Sequence, residues 1–211
     1  MADLEAFRNK ILSPEFGVKD KDREHHVLNG GNHGQKLDFG ALDDTDDLYH
    51  EWVDVTVDRI KRRFPQRPMI LLGVANGTNN FAIDASRSRE FDARVVGLPS
   101  AKDEETDDIS LDSYVVSSIR RLSGLVLVLE DASKAGSKAA QVAKAAQQAG
   151  AQTVEALITT QRRPELTALD EAGIAYDALI KEDMPDYTPA ECLSLREGFC
   201  SQGFKLIPYG K

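Results

Sequence analysis

A pair of carboxylates at the end of a continuous apolar run is the strongest chemical signal in the sequence. Glu130 and Asp131 follow the apolar residues 125–129, and a short loop then leads into an Ala-rich helix that begins near Gly136. The start of a helix offers free backbone N–H groups and the positive end of the helix dipole, so it can hold a phosphate. The two carboxylates could accept hydrogen bonds from neighbouring sugar hydroxyls. This strand-loop-helix segment could therefore bind a sugar phosphate at both of its ends.

Polar side chains in the same loop could strengthen phosphate binding. Ser133 and Ser137 offer hydroxyl donors, and Lys134 and Lys138 offer positive charge. A purely structural interpretation is also open, because acidic residues are common at strand ends and a Ser near a helix start is often an N-cap. The residues by themselves do not decide between a binding loop and a structural loop.

The elements that would position this loop alternate between strands and helices. Short, continuous apolar runs predict strands that are buried on both faces, and apolar residues at helical spacing predict helices. The predicted strands are residues 68–74, 93–97, 124–129, 153–158 and 174–179, and the predicted helices are residues 2–11, 44–63, 79–89, 136–149 and 164–172. This order predicts an α/β fold with a mostly parallel sheet flanked by helices. Ligands of such sheets bind beyond the carboxyl ends of the strands, which here means the residues after 74, 129 and 158.

The composition excludes several classes of function. With 211 residues, of which 41% are hydrophobic, the chain suits a single globular domain. A net charge of −9 argues against general nucleic-acid binding, which needs clustered Lys and Arg. No apolar stretch is long enough to cross a membrane, and the N-terminus does not resemble a signal peptide. We therefore expect a cytoplasmic protein without a membrane or nucleic-acid partner.

Metal binding is not expected from the cysteines and histidines. Cys192 and Cys200 are eight residues apart, which is not the spacing of a zinc site. The histidines lie early in the chain without metal-ligand spacing; they are His25, His26, His33 and His50. The prediction is two reduced thiols and no metal ligands among the site residues.

Three other features have structural interpretations. Asn79 and Asn80 stand where a helix cap is common, and Trp52 lies on an apolar helical face that is typical of a core position. Residues 100–112 contain one lysine and six carboxylates. We expect this acidic run to be a solvated loop, and recruitment of Mg²⁺ is the less favoured alternative.

The acidic pair and the loop after it resemble the phosphoribosyl-pyrophosphate motif of the type I phosphoribosyltransferases. Within that family, more of the chain is similar to orotate phosphoribosyltransferase. Residues 26–33 are similar to its N-terminal stretch, residues 72–78 look like its first-strand pyrophosphate loop, and residues 198–211 loosely resemble its ending. The resemblance extends from about residue 25 to the last residue.

The resemblance implies a fold, a reaction and partners. It implies one domain over residues 1–211, with a small hood formed by segments at about 14–40 and 185–211. The implied reaction transfers ribose 5-phosphate from phosphoribosyl pyrophosphate to a nitrogen base, with orotate as the base of the most similar member. The implied cofactor is Mg²⁺ on the pyrophosphate, and the implied assembly is a homodimer.

The resemblance also assigns roles to residues. The residues expected to act in catalysis are Glu130 and Asp131, at the ribose hydroxyls, and Lys102, the one lysine in the region of the mobile loop. The residues expected at the 5′-phosphate are Ala132, Ser133, Lys134, Ala135, Gly136, Ser137 and Lys138. The residues expected at the pyrophosphate are Ala75, Asn76, Gly77 and Thr78. The residues expected at the base are Arg162, Asn32 and His33.

Several positions depart from the family pattern. Ala135 stands where the family has Thr before Gly136, and Thr78 adds a side chain where close backbone approach is expected. The region of the basic mobile loop is acidic, and Arg162 stands one step later than the arginine that grips orotate. Two functions are therefore carried forward. One is an active phosphoribosyltransferase, and the other is a non-catalytic paralogue that binds a nucleotide or sugar phosphate or acts as a partner subunit.

Overall fold

The computed structural model describes residues 2–13, 24–28, 31–35, 37, 39, 42, 46–64, 69–75, 77–91, 94–103, 105–122 and 124–207. Its helices are α1 (Leu4–Ile11), α2 (Asp47–Arg63), α3 (Asn79–Ser86), α4 (Ser113–Leu122), α5 (Ser137–Gln148), α6 (Thr167–Glu171) and α7 (Pro189–Ser194). Its strands are β1 (Glu24–Val27), β2 (His33–Gly34), β3 (Met69–Gly73), β4 (Val95–Leu98), β5 (Ala101–Lys102), β6 (Ile109–Ser110), β7 (Leu125–Ser133), β8 (Thr153–Gln161), β9 (Ala175–Lys181), β10 (Asp186–Tyr187) and β11 (Lys205–Ile207). No helix in these described ranges is both long and apolar enough to span a membrane.

A five-stranded sheet forms the centre of the molecule, in the order β4-β3-β7-β8-β9. All of its pairings are parallel, so the predicted parallel α/β architecture is confirmed. The chain passes from β3 to β4 on one side and later returns to β7 on the other side of β3. This reversal opens a crevice at the carboxyl ends of β3 and β7, where ligands of such sheets bind.

Alternate residues of the central strands pack into two apolar layers. On one face, Leu71 and Leu127 pack with residues of α1, α2 and α3. On the other face, Ile70 and Val126 pack with residues of α4, α5 and α6. Helices therefore cover both faces of the sheet, which explains why β3 and the first part of β7 read as unbroken apolar runs.

Trp52 belongs to the first of these layers. It is 1% exposed, stacks on Phe81 with ring centroids 3.7 Å apart, and donates its indole N–H to Thr159 Oγ1 at 2.7 Å. The prediction that Trp52 is a core residue is confirmed.

A second sheet, which we call the hood, has the order β10-β2-β1-β11. Strand β1 pairs in parallel with β11 and antiparallel with β2, and β10 pairs antiparallel with β2. The hood thus joins the N-terminal and C-terminal segments, as the resemblance implied. Within the predicted hood segments, residues 14–23, 29–30, 36, 38, 40 and 208–211 lie outside the described residues.

Strands β7 and β8 are longer than the apolar pattern predicts. The ladder continues past the apolar run, pairing Glu130 with Ile158, Ala132 with Thr160 and Ser133 with Gln161. The predicted strand ends at 129 and 158 are therefore wrong. Polar side chains occupy the last strand positions, so the hydrophobic signal stops before the hydrogen-bonded ladder does.

Candidate functional site

A cleft of about 530 Å³ lies at the carboxyl ends of β3 and β7, beneath the hood. The predicted site residues that line it are Ala75, Gly77, Glu130, Asp131, Ala132, Ser133, Lys134, Ala135, Gly136, Ser137, Lys138, Arg162 and Asn32. Leu28, Val74 and Asp186, which are not among the predicted site residues, line it as well. The structure thus gathers most of the predicted sugar-phosphate residues around one cleft.

Glu130 has the most strongly perturbed carboxyl group in the cleft. Its side chain is buried, and Oε2 has no hydrogen-bond partner among the described residues. Burial and the nearby charge of Asp131 raise the pKa of Glu130 to about 8, although a hydrogen bond with Ser133 opposes the rise. The carboxyl is therefore protonated at neutral pH. A ligand hydroxyl that paired with Oε2 would relieve the cost of burying an unpartnered polar atom.

Asp131 lies against the turn that follows β3. Its Oδ1 accepts the backbone N–H of Ala132 at 2.7 Å. A Cβ atom placed on Gly77 would come within 2.6 Å of Asp131 Oδ2, so a side chain at that position would displace the carboxylate. Glycine therefore lets the predicted pyrophosphate loop lie directly beside the predicted ribose pocket.

Gly136 and Ser133 determine the backbone conformation of the loop between β7 and α5. Gly136 has φ +78°, and a Cβ there would come within 2.7 Å of the Leu169 side chain. Ser133 Oγ accepts the Gly136 N–H at 2.9 Å. Helix α5 then starts at Ser137 without a capping side chain, and both Ser137 and Lys138 line the cleft. The uncapped start of this helix offers N–H groups to an anion.

The two lysines of this loop have different surroundings. Lys134 Nζ lies 2.6 Å from Asp186 Oδ2, which links the loop to the hood. No carboxylate lies within ion-pair distance of Lys138 among the described residues, and this side chain lines the cleft. Lys138 is thus available to an anionic ligand, whereas the charge of Lys134 is already balanced.

Asp186 is the hood residue that closes this side of the cleft. Its carboxylate, 4% exposed, also accepts Asn32 Nδ2 at 2.9 Å and Arg163 Nη2 at 2.5 Å. Burial by itself raises the pKa of Asp186, but the hydrogen bonds from Lys134, Asn32 and Arg163 outweigh it and lower the pKa to about 2. This ionised cluster fixes the position of the hood over the loop between β7 and α5.

Arg162 reaches the cleft despite its shift of one position from the family pattern. Its backbone N–H donates to Ser133 O at 2.8 Å, and Nη2 donates to Gln35 O at 2.9 Å. Its Nε is buried without a hydrogen-bond partner among the described residues. Burial lowers the pKa of Arg162, and the charge of Asp186 partly opposes this. An anionic ligand group beside Arg162 would supply the missing acceptor.

Thr78 does not line the cleft. Its hydroxyl lies 2.5 Å from Leu129 O and accepts the Val74 N–H at 2.8 Å, while its own N–H donates to Val74 O at 3.1 Å. The side chain is 1% exposed. Both parts of the expectation for Thr78 are therefore corrected. It neither offers a group to pyrophosphate nor obstructs the loop, because its side chain turns inward and ties the end of β3 to β7. Asn76 lies outside the described residues.

Ser100 and Asn79 hold the same loop from the other side. Ser100 Oγ donates to Gly73 O at 2.7 Å and accepts the Ala75 N–H at 3.0 Å. Asn79 Nδ2 donates to Ser100 O at 2.8 Å, and Asn79 Oδ1 accepts the Ser100 N–H at 3.0 Å. Asn79 is therefore not a helix cap, because its side-chain amide is hydrogen-bonded to the backbone of Ser100. The sequence carried no signal for Ser100, a single serine after a strand.

Lys102 also stands apart from the cleft. It lies in the β5–β6 hairpin and forms an ion pair with Asp107, which lies in the turn of that hairpin. The hairpin packs on α5, where the Ile109 N–H donates to Gln141 Oε1 at 3.2 Å. The acidic run is thus partly a hairpin rather than a loop, and the structure does not bring Lys102 to the other predicted catalytic residues.

His33 belongs to a different group of side chains inside the hood. His33 Nδ1 lies 3.3 Å from Cys200 Sγ, and His25 Nε2 lies 3.2 Å from the same sulfur. The hood sheet brings these residues together with Cys192, although their spacing in the sequence predicted no metal-ligand set. They meet because the pairing of β1 with β11 and of β2 with β10 joins distant segments, and the expectation that they bind no metal stays a prediction. His33 does not line the cleft, in contrast to its predicted role at the base.

Comparisons with known proteins define the fold. No protein-family model and no curated protein matches the sequence. The crystal structure of Mycobacterium tuberculosis orotate phosphoribosyltransferase in complex with inorganic phosphate is similar, with a TM-score of 0.56 and 15% identity over 84% of this chain and 95% of that chain. The Aeropyrum pernix orotate phosphoribosyltransferase has a TM-score of 0.58 and 16% identity over 82% of this chain and 92% of that chain.

A third similar structure is the Mycobacterium tuberculosis enzyme in complex with phosphoribosyl pyrophosphate. It has a TM-score of 0.52 and 17% identity over 83% of this chain and 96% of that chain. The chain therefore has the type I phosphoribosyltransferase fold, as the resemblance in sequence predicted. Identities this low establish the fold alone.

Proposed function

We infer that the cleft binds phosphoribosyl pyrophosphate or a related sugar phosphate, and that the protein transfers ribose 5-phosphate to a nitrogen base. One observation carries this proposal. A single strand-loop-helix segment ends in an unpartnered buried carboxyl oxygen of Glu130 on one side and in the uncapped start of α5 on the other. Similar solved structures hold inorganic phosphate and phosphoribosyl pyrophosphate, which supports this class of ligand.

The residues suggest how the ligand would lie. The 5′-phosphate would accept N–H groups at the start of α5 and pair with Lys138, while the ribose hydroxyls would meet Glu130 and Asp131. The pyrophosphate would lie beside Gly77, whose N–H has no acceptor among the described residues. This orientation places the anomeric carbon between the two loops.

The reaction needs positioning and electrostatics more than covalent help. The bond from the anomeric carbon to pyrophosphate breaks, and pyrophosphate leaves with the electron pair. A bond from a nitrogen of the base forms at the same carbon, and the base releases a proton. The carboxylate of Asp131 would stabilise the positive charge that develops on the ribose, while the hood limits the access of water.

Mg²⁺ fits the donor set of the cleft. This ion takes oxygen ligands and is commonly bound through one or two carboxylates together with substrate phosphates. Asp131 offers such a carboxylate, whereas Glu130 is protonated at neutral pH because its pKa is raised to about 8. Bound Mg²⁺ would neutralise charge on the leaving pyrophosphate.

Arg162 suggests the chemical class of the base. Its guanidinium lies at the cleft with a buried Nε that lacks an acceptor among the described residues. A carboxylate is the natural partner of a guanidinium, since the pair forms charge-assisted hydrogen bonds. A base that carries a carboxylate, such as orotate, is therefore the proposed acceptor.

A non-catalytic sugar-phosphate binder is the second candidate, and the cations favour it. Lys102 is paired with Asp107 in an acidic hairpin, and Lys134 is paired with Asp186. Few cations would then remain to neutralise a departing pyrophosphate. We also propose a cytoplasmic homodimer on the strength of the family resemblance, and the mass of the protein in solution tests the dimer.

A turnover assay separates the two candidates. The protein is mixed with phosphoribosyl pyrophosphate, Mg²⁺ and orotate, and the release of pyrophosphate and the loss of orotate absorbance are followed. For an enzyme, Asp131→Asn should lower turnover by about 100-fold or more, as expected when a charge-stabilising group is removed. Asp54→Asn, an exposed carboxylate on α2, is the matched control and should keep full activity.

The outcomes distinguish the functions. Turnover that depends on Asp131 supports the transferase. Turnover with another base but not with orotate keeps the transferase and rejects the proposed acceptor. Ligand binding without turnover with any base supports the second candidate, and the absence of both rejects both candidates.

A further inference from the structure

The hood contains four potential metal ligands that converge on one point. We call them the hood cluster, and they are His25, His33, Cys192 and Cys200. Their donor atoms all lie within 4.8 Å of one another. His25 and Cys192 are fully buried and His33 is 7% exposed. None of these residues lines the sugar-phosphate cleft, so the cluster is a separate site.

The distances inside the hood cluster match tetrahedral zinc coordination. With Zn–S of about 2.3 Å and Zn–N of about 2.0–2.1 Å, tetrahedral geometry places ligand nitrogen and sulfur atoms about 3.5 Å apart. His25 Nε2 lies 3.2 Å from Cys200 Sγ and 3.8 Å from Cys192 Sγ, and His33 Nδ1 lies 3.3 Å from Cys200 Sγ. The side chains therefore need only small shifts to surround an ion.

The chain around the cluster has features that support metal ligands. The Cys200 N–H donates to Cys192 Sγ at 3.2 Å, so one sulfur already accepts a backbone hydrogen bond that would stabilise a thiolate. Gly198 makes the return of the chain possible, because a Cβ there would collide with the backbone of Cys192. His25 Nδ1 is buried without a hydrogen-bond partner among the described residues, so the nitrogen that faces the sulfur atoms is Nε2.

Two other states of the same residues are possible chemically. Without a metal, the Cys200 thiol could donate its S–H to one imidazole nitrogen and accept an N–H from the other. Weak hydrogen bonds would then hold the three side chains together. Alternatively, the two cysteines could be oxidised to a disulfide. A metal ion, by contrast, would use both imidazole nitrogens and both sulfur atoms at one point.

We propose that the hood cluster binds one Zn²⁺ with two imidazoles and two thiolates. This combination of two sulfur and two nitrogen ligands is typical of zinc. Four protein ligands leave no position for substrate, so the ion is structural. Binding releases the two thiol protons, and no oxidation or reduction takes place.

The ion would fasten the two ends of the hood together. His25 lies on β1 and His33 on β2, whereas the cysteines lie in and after α7 in the C-terminal segment. His33 also pairs with Tyr187 across the β2–β10 ladder, next to Asp186 and Asn32 of the cleft. Zinc would therefore stabilise the side of the hood that covers the phosphate loop.

Metal content is the first test. The full chain is purified under reducing conditions without chelator, and its zinc is measured by elemental mass spectrometry. The expected result is one zinc per chain. After removal of zinc, Co²⁺ should restore one equivalent of metal, with the visible bands of tetrahedral cobalt and a thiolate charge-transfer band. Zinc should also raise the midpoint of thermal unfolding of the stripped protein.

Matched histidine variants locate the metal. His33→Gln should weaken cobalt binding by more than the roughly 100-fold that loss of an outer-shell partner can cost. His50→Gln, on the exposed face of α2, should bind cobalt like the wild type. If His33→Gln does not fold, the metal content and cobalt spectrum of the wild type still decide the question.

Two results would overturn the proposal. One is a folded, reduced wild-type protein that contains far less than one equivalent of metal and gives no cobalt bands. The other is a disulfide between Cys192 and Cys200 in protein whose free thiols were blocked at cell lysis. These measurements do not involve sugar phosphates, so their outcome is independent of the proposed enzymatic function.

Discussion

Replacement of Glu130 by Gln should change how the stability of the protein depends on pH. Glu130 is buried, and its pKa is raised from 4.5 to about 8. Each unit of pKa shift corresponds to about 1.36 kcal/mol, so a shift of this size makes ionisation in the folded state cost about 5 kcal/mol. Below the pKa of Glu130 in the unfolded chain, the carboxyl is protonated in both states and does not change the stability. As the pH rises from that value toward the higher pKa of the folded state, the unfolded chain ionises first and the free energy of unfolding falls.

Glu130→Gln removes this ionisation. The difference in the free energy of unfolding, taken as the wild-type value minus the variant value, should decrease by about 3–5 kcal/mol as the pH rises from about 4.5 to 8.5. The constant part of the difference reflects how well the Gln amide finds hydrogen-bond partners, and it does not vary with pH. Urea unfolding followed by far-ultraviolet circular dichroism at several pH values measures the difference directly.

A control and a contrary result complete this test. Glu171→Gln changes an exposed carboxyl on α6 and is the control for the loss of a carboxyl group that is not buried. Parallel stability profiles for the wild type and Glu130→Gln would refute the reasoning. They would show that Glu130 ionises as easily in the folded protein as in the unfolded chain.

Other substitutions test neighbouring parts of the site. Gly136→Ala should destabilise the protein by more than about 1 kcal/mol in urea unfolding, because φ is +78° and a leucine blocks the Cβ. Gly173→Ala, with φ +66° but open space, should cost less, and equal costs would contradict the role of the leucine. Asp186→Asn should lower the free energy of unfolding by about 1–2 kcal/mol at neutral pH, after allowance for screening by solvent. Because the pKa of Asp186 is lowered to about 2 in the folded protein, this difference should disappear as the pH falls from about 4 to 2. Gly77→Ala should weaken the binding of phosphoribosyl pyrophosphate by about 10-fold or more in calorimetry, because the added Cβ would displace the Asp131 carboxylate, while the stability of the protein should change little. Unchanged affinity would contradict the proposed position of the carboxylate.

The central sheet could be predicted from the sequence because its signal is local. Strand β3 and residues 125–129 of β7 are buried, so each reads as a run of apolar residues. The ends of β7 and β8 could not be predicted in this way. Their last residues are polar and face the cleft or pair with each other, and hydrophobic periodicity does not report such positions.

The candidate site divides in a similar manner. Residues 130–138 are contiguous, so the pattern of one strand, one loop and one helix sufficed to find them. The direction of the Thr78 side chain depends on the carbonyl of Leu129, which the sequence does not reveal. Asp186 enters the cleft only because β10 pairs with β2.

The hood cluster shows the same limitation most clearly. Its members come from both ends of the chain, and their spacing has no pattern that a short motif would contain. The β1–β11 ladder, the β2–β10 ladder and the turn after α7 bring the sulfur atoms to the imidazoles. Long-range pairing of this kind has to be read from the structure.

Calorimetric titration of phosphoribosyl pyrophosphate with Mg²⁺ is the most direct test of the proposed cleft. The wild-type protein should bind one equivalent, and Asp131→Asn should bind much more weakly while Asp54→Asn binds like the wild type. Absence of binding to the folded wild-type protein at millimolar ligand, where even a weak site with a dissociation constant near 1 mM would be detected, would contradict the assignment of the cleft as a sugar-phosphate site.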